Sequence, residues 1–326
     1  MRWPRGDEML RKIGIMGFIV GCSGDGTEPV TDDAPVVSDP MSTADTGPVL
    51  MTDTGTEPPT VADLIQMDSE TQRFAAALGQ TGLDLALDDR KAMWTVFVPS
   101  DGAFAQLGAI SPSQDTLANI LLYHMIPAEV AFGDLAQDRA LLTASGLQLQ
   151  SVAQTKTLGG APLGTPLDQV AANGIVHRLD AVAVPPPTLL YLEAQPEFST
   201  LLAMLNATGL SDSLAPNTLA GGEPFTLLAP TNQAFADAGI SLGNPPANIA
   251  SILLNHVISG QVLLGSATDG TRWTTAWGDE VEFDVAKDGS LGLLDAQSTR
   301  VPVGPLADVR TLSGAVHAIE GVLDPE

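Results

Sequence analysis

Trp94-Thr95-Val96-Phe97-Val98-Pro99-Ser100-Asp101-Gly102-Ala103-Phe104 is repeated later in the chain as Phe225-Thr226-Leu227-Leu228-Ala229-Pro230-Thr231-Asn232-Gln233-Ala234-Phe235. In each copy a β-prone apolar run closes at a proline. The hydroxyl residue that follows, Ser100 or Thr231, is placed to cap a short helix bearing Phe104 or Phe235. Two more pairs follow in the same order. Leu121-Leu122-Tyr123-His124 matches Leu253-Leu254-Asn255-His256, and Asn173-Gly174-Ile175-Val176-His177 matches Leu312-Ser313-Gly314-Ala315-Val316-His317. All four histidines of the chain fall at equivalent places in the two copies. A repeat of this length implies two similar globular units.

The other elements can be read outward from these motifs. Residues 70–79 and 198–207 read as helices. Phe198, Leu201, Leu202 and Leu205 keep the i, i+3, i+4, i+7 spacing, and Gly209 is placed as the stop. A second amphipathic helix covers Leu117–His124 and Ile249–His256. Short strands with Gly and Asn turns follow (Leu147–Val152, Val281–Val285), and the last run over Ile175–Val184 and Ala315–Leu323. Helices in the first half and strands in the second give an α+β unit.

With 326 residues, 44% of them hydrophobic, the chain can bury two cores. Its formal charge of −25, with only 14 Lys and Arg, excludes a basic nucleic-acid face and argues against electrostatic docking on anionic lipid. Acidity of this kind suits a polar, extracytoplasmic setting. The single cysteine, Cys22, rules out an intrachain disulfide. Arg11 and Lys12 precede an apolar run from Ile13 to Val20, followed by Gly21-Cys22-Ser23, which is a secretory signal pattern too short to span a bilayer. Asp7 and Glu8 are unusual in such a region, and would be absent from a chain begun at Met9. Ile19-Val20-Gly21-Cys22 resembles the lipobox of bacterial lipoproteins, which implies lipidation of Cys22. Ser23 in that setting implies the outer membrane or cell surface of a Gram-negative bacterium. The expected organisation is a signal peptide over 1–21, a disordered acidic tether over 22–60 and folded units over 61–187 and 188–326. Composition supports the tether, and Pro185-Pro186-Pro187 marks the break between the units.

Three ordered motifs, each present twice, resemble the fasciclin domain. They are the apolar strand with Pro-Ser/Thr-Asp/Asn-x-Ala-Phe, the helix ending in Tyr123-His124 or Asn255-His256, and the late strand Asn173 to Asp180 or Ser313 to Glu320. The resemblance covers nearly everything after residue 60. It implies two tandem fasciclin-like β-wedge domains, each of about seven strands with helices packed on a short-stranded sheet. It also implies a role in adhesion or matrix interaction, and makes Tyr123, His124, Asn255 and His256 candidate interaction residues. Asn255 in place of a tyrosine weakens that assignment in the second copy.

The histidines invite a metal or catalytic reading, but their faces argue otherwise. His124 and His256 continue the apolar stripes Leu117, Ile120, Leu121 and Ile249, Ile252, Leu253. His177 shares a strand face with Ile175 and Leu179, and His317 with Ala315 and Ile319; Arg178 and Asp180, or Ala318 and Glu320, take the other. Histidines on apolar faces are expected to be core residues, neutral and bonded to backbone through both ring nitrogens. No histidine has a ligand partner at metal spacing, so no metal, cofactor or catalytic residue is assigned. Gly239-Ile240-Ser241-Leu242-Gly243 matches a hydrolase nucleophile elbow in letters only. A helix precedes it and Asn244-Pro245-Pro246 follows, where an elbow needs strand, serine, helix. The expected function is therefore a non-enzymatic, surface-tethered interaction protein that binds an extracellular protein or polysaccharide. The alternative is a small-ligand or carbohydrate binder, which exposure of Trp273 and Trp277 would favour.

Overall fold

The structure, a computed structural model, describes residues 57–106, 112–215 and 222–325. The signal segment 1–21, Cys22 and most of the tether lie outside the described residues.

Strand β1 (Trp94–Pro99) is buried along its whole length. An apolar strand of this kind must be covered on both faces. Trp94, Val96 and Val98 pack with residues of helices α1 (Val61–Met67), α2 (Gln72–Thr81) and α3 (Asp84–Asp88). Phe97 packs on the opposite side with Leu149, Leu158 and Leu179. The first unit also holds α4 (Asp101–Gln106), α5 (Gln114–Tyr123) and α6 (Phe132–Leu135). Its first sheet has the order β2-β1-β8-β7, with β2 Met125–Ile126, β7 Gln169–Ala171 and β8 Gly174–Leu179. β1 and β8 run parallel, in register from Trp94↔Gly174 to Pro99↔Leu179, and their neighbours are antiparallel. The second sheet is antiparallel: β3 (Arg139–Leu142), β4 (Gln148–Val152), β5 (Thr157–Leu158) and β6 (Ala161–Pro162). Leu141, Leu149 and Leu158 of this sheet cover the Phe97 side.

The second unit repeats the plan. Its helices are α7 (Thr188–Glu193), α8 (Ser199–Thr208), α9 (Leu210–Ser213), α10 (Asn232–Asp237) and α11 (Ile249–Leu254). Its first sheet is β10-β9-β16-β15, from β9 (Phe225–Pro230), β10 (Val257–Ser259), β15 (Val309–Thr311) and β16 (Gly314–Ile319), with β9 and β16 parallel. The second sheet is β11 (Arg272–Thr274), β12 (Glu280–Val285), β13 (Leu291–Leu294) and β14 (Arg300–Pro302). The expected caps form, with Ser100 Oγ accepting from Ala103 N at 3.1 Å and Thr231 Oγ1 from Ala234 N at 3.2 Å. The chain is thus α+β in two tandem units, as expected, with each unit's described strands divided between two four-stranded sheets.

Two local expectations are corrected, and one residue is placed that alternation left open. Thr60, assigned to the tether by composition, is 1% exposed and forms a capping box with Asp63 at the start of α1, so the folded unit takes it in. The late strands stop at Leu179 and Ile319, short of Val184 and Leu323. Arg178 lies on the face opposite His177 yet is only 6% exposed, because α1 is followed by Asp68 and Glu70, which pair with its guanidinium.

The units meet through a polar joint. Asn119 of α5 donates to Thr311 O at 2.8 Å and to Gln261 Oε1 at 2.7 Å. Arg310 N–H donates to Ser145 O at 2.8 Å. One apolar cluster continues across, joining Leu147 and Leu149 to Val309, Leu192 and Phe225.

Gly174 opens β8 at φ +151°, where a Cβ would lie 1.8 Å from Trp94 O; Gly314, at φ +139°, meets Phe225 O at the same distance. Only glycine lets the two parallel strands begin this close. Gly174→Ala or Gly314→Ala is expected to cost at least ~3 kcal/mol, read by urea denaturation of the full chain. Alanine at Gly243, where the backbone is open, serves as the neutral control.

Candidate functional site

The repeated motifs converge on the four histidines, and each is consumed by main chain. His124 follows the last turn of α5; its Nδ1–H donates to Ile120 O at 2.7 Å and its Nε2 accepts from Ala183 N–H at 3.1 Å. His256 does the same after α11, with Ile252 O at 2.7 Å and Leu323 N–H at 3.0 Å. Each ring therefore ties the end of a helix to the chain just beyond the last strand. His177 and His317 take the opposite tautomer. Nε2–H of His177 donates to Val130 O at 2.8 Å and its Nδ1 accepts from Asp168 N–H at 3.2 Å. For His317 the partners are Val262 O and Asp308 N–H, both at 3.0 Å. Phe97 stacks on His177 with centroids 5.2 Å apart, and Phe74 meets His124 edge-on at 5.9 Å.

All four side chains are fully buried. Burial drives the pKa of His124 and of His256 down to about 4, against a smaller upward pull from the carbonyl each ring donates to. His177 and His317 are also lowered by burial, with Asp168 and Asp308 pulling the other way. A neutral ring with both nitrogens occupied has neither a lone pair for a metal nor a proton to exchange. Among the described residues no three His, Cys, Asp or Glu lie close enough to hold an ion.

The remaining candidates are placed as follows. Tyr123 is 6% exposed, with its hydroxyl 3.4 Å from Gln148 O and its pKa raised by burial. Asn255, fully buried, accepts from Thr275 Oγ1 at 2.8 Å. Tyr123, His124, Asn255 and His256 are therefore buried in this fold, at the ends of α5 and α11. Ser241 sits in an exposed turn bridged to Asn244, after α10 and Gly239 at φ +69°, so no strand leads into it. Trp273 is partly buried against Phe283, and Trp277 stands 46% exposed.

Two features were missed by sequence reasoning. Asn173 is a staple: its amide accepts from Val61 N–H and donates to Leu87 O and Asp89 O, gathering α1 and α3 at the start of β8. Its place in the Asn-Gly motif was the available signal. The second is an open polar cleft of about 420 Å³ in the first unit, lined by Ser69, Glu70, Ser100, Asp101, Thr165 and Arg178, with Asp180 at its wall. Nothing in the spacing of those residues announces it.

The fasciclin-domain family model matches residues 69–185 and 196–325. The chain is 27% identical over 213 residues to transforming growth factor-beta-induced protein ig-h3 of Sus scrofa, covering 62% of this chain and 30% of that protein. It is 27% identical over 236 residues to human periostin, covering 69% and 27%, and 32% identical over 134 residues to protein sll1483 of Synechocystis, covering 39% and 67%. It thus spans under a third of the length of ig-h3 and periostin. Among solved structures, a FAS1 domain pair from the insect cell adhesion molecule Fasciclin I aligns over 78% of this chain and 97% of that one. The TM-score of that alignment is 0.44 and the identity 19%. None of the described helices is long and apolar enough to cross a membrane.

The buried neutral histidines fix a pH dependence. Between about pH 6.5 and pH 4 the unfolded chain binds a proton at His124 and His256 that the fold does not. Their contribution to stability is thus complete above about pH 6.5 and lost as pH falls towards 4. The slope approaches about 1.4 kcal/mol per histidine for each pH unit. Urea midpoints should fall between pH 7 and 5. The non-titrating double variant His124→Gln/His256→Gln, though less stable throughout, should show a flatter profile; an equal slope would refute the assignment.

Proposed function

The chain belongs to the fasciclin-domain family, and on that premise we propose that it is a non-enzymatic interaction protein, tethered outside the cell, that binds an extracellular protein or polysaccharide. The observation that carries this reading is the consumption of all four histidines by main-chain hydrogen bonds. The residues that look most like chemistry hold the scaffold together, twice over, which leaves function to the surface. The strongly acidic balance supports a solvated extracellular partner and gives no support to nucleic acid. Binding of the purified chain to intact cells should be saturable and should fall when the cells are stripped by protease or glycosidase. Lack of any saturable binding, together with ester turnover abolished by Ser241→Ala, would replace this reading with a hydrolase.

A carbohydrate partner is favoured by the cleft beside Arg178. Its carboxylates and hydroxyls suit sugar hydroxyls, and Arg178 is already neutralised by Asp68 and Glu70, so the cleft offers hydrogen bonds more than bare charge. Asp180→Ala should lower affinity for a soluble polysaccharide severalfold without moving the melting temperature, and unchanged affinity would remove the cleft from the binding surface.

We further propose that Cys22 carries a lipid and that the segment from Ser23 spaces the folded units from an outer membrane or cell surface. The support is the lipobox-like Ile19-Val20-Gly21-Cys22 and the polar composition after it. Metabolic labelling with a lipid precursor should mark the wild-type chain and not Cys22→Ser. Absence of label would remove the anchor from the proposal.

A further inference from the structure

The two units meet through two different surfaces, and because they are built alike, each also carries the surface it does not use. At the joint, the first unit presents Asn119 of α5 and the turn Ser145-Gly146 after β3. The second presents the edge strand β15 and Gln261. The outward end of the second unit bears the equivalents of the first set. Ala276 N–H donates to Val257 O as Ala144 N–H does to Met125 O, and Gly278 N–H to Thr275 O as Gly146 N–H does to Thr143 O. Trp277 therefore stands where Ser145 stands, and Ser251 of α11 where Asn119 does. The outward end of the first unit bears the equivalents of the second set. β7 pairs Val170↔Ile175 as β15 pairs Arg310↔Ala315, and Val130 O receives His177 as Val262 O receives His317. Val170 therefore matches Arg310, and Glu129 matches Gln261.

The unused surfaces are open and their chemistry is matched. A Cβ on Gly146 would sit 3.4 Å from Val309 Cα, whereas one on Gly278 would meet nothing within 4 Å among the described residues. Val170 is 73% exposed and Trp277 46%, two large apolar side chains at the two ends that the joint's pattern would bring together. Glu129, exposed, would face the Ser251 hydroxyl where Gln261 faces Asn119. The Val170 N–H would face the Trp277 carbonyl where the Arg310 N–H finds Ser145 O.

We infer that the internal joint is repeated between chains: the β7 edge of one copy docks on the Trp277 end of another, head to tail. Such a contact is heterologous, so each added copy leaves a working end free and the contact propagates into a string of alternating first and second units. A charge of −25 on every copy opposes it, so assembly strengthens as salt screens the repulsion.

The test is sedimentation velocity on the full chain carrying Cys22→Ser, which removes lipid-driven association, over a range of concentrations at about 0.15 and 0.5 M salt. Species larger than a dimer should grow with concentration and with salt. Trp277→Asp disables one end and Val170→Asp the other, and each should raise the half-association concentration at least tenfold with the melting temperature unchanged. An equimolar mixture of the two variants should then form dimers and nothing longer, since each partner keeps one working end. A monomer under every condition, association by Val170→Asp equal to that of the parent, or a mixture of folded variants that stays monomeric would each overturn the inference.

Discussion

Each unit depends on one long-range pairing, the parallel contact between its first and last long strands, β1 with β8 and β9 with β16. Parallel neighbours cannot be joined by a hairpin, so the chain between them must leave the sheet, build other elements and return. The intervening segment makes helices, both edge strands of the first sheet and the whole second sheet before it comes back beside its start. The entropy of closing so long a loop is offset only when strands buried on both faces exclude water from both layers. That is why β1, β8, β9 and β16 are buried at every position, and why a glycine must stand where the returning strand first touches the outgoing one.

The histidines serve that closure. One pair ties the end of α5 or α11 to the chain just past the returning strand; the other ties the returning strand to Val130 or Val262 after the edge strand. Opposite tautomers are needed because the two roles present carbonyl and amide to opposite ring nitrogens. A lysine or glutamine in the same place could not offer one donor and one acceptor at that separation with so little flexible chain to order. The copies keep these ties and diverge around them. Tyr123 becomes Asn255, whose Nδ2 finds no hydrogen-bond partner among the described residues, and Asn173 becomes Ser313, whose buried hydroxyl likewise finds none among them. The second unit thus retains the pegs and changes part of the trim.

Much of the fold was legible because it is written in local pattern. The proline-closed apolar strand, the hydroxyl caps at Ser100 and Thr231, the helix stop at Gly209 and the burial of the histidines all follow from spacing within ten residues or so. What was misread or left open lay where a residue's environment comes from elsewhere in the chain. Thr60 looks like tether by composition, and only Asp63, Asp88 and the neighbouring Pro59, which accepts from Ala172 N–H, draw it into the unit. Arg178 sits on a strand face that alternation cannot tell from solvent, and its cover comes from Asp68 and Glu70 over a hundred residues earlier.

The sequence by itself determined that there are two units, that they share one α+β plan and one family, and that the matched histidines face apolar layers. Those properties depend on periodicity and repetition, which neighbouring residues carry. The tertiary structure alone decided that the strands divide between two sheets, that Asn119 and Arg310 belong to a joint, and that Ser145 and Trp277, unlike in chemistry, hold the same place. Those depend on which distant segments meet. A chain specifies that through the summed burial of the whole fold, with no trace at any single position.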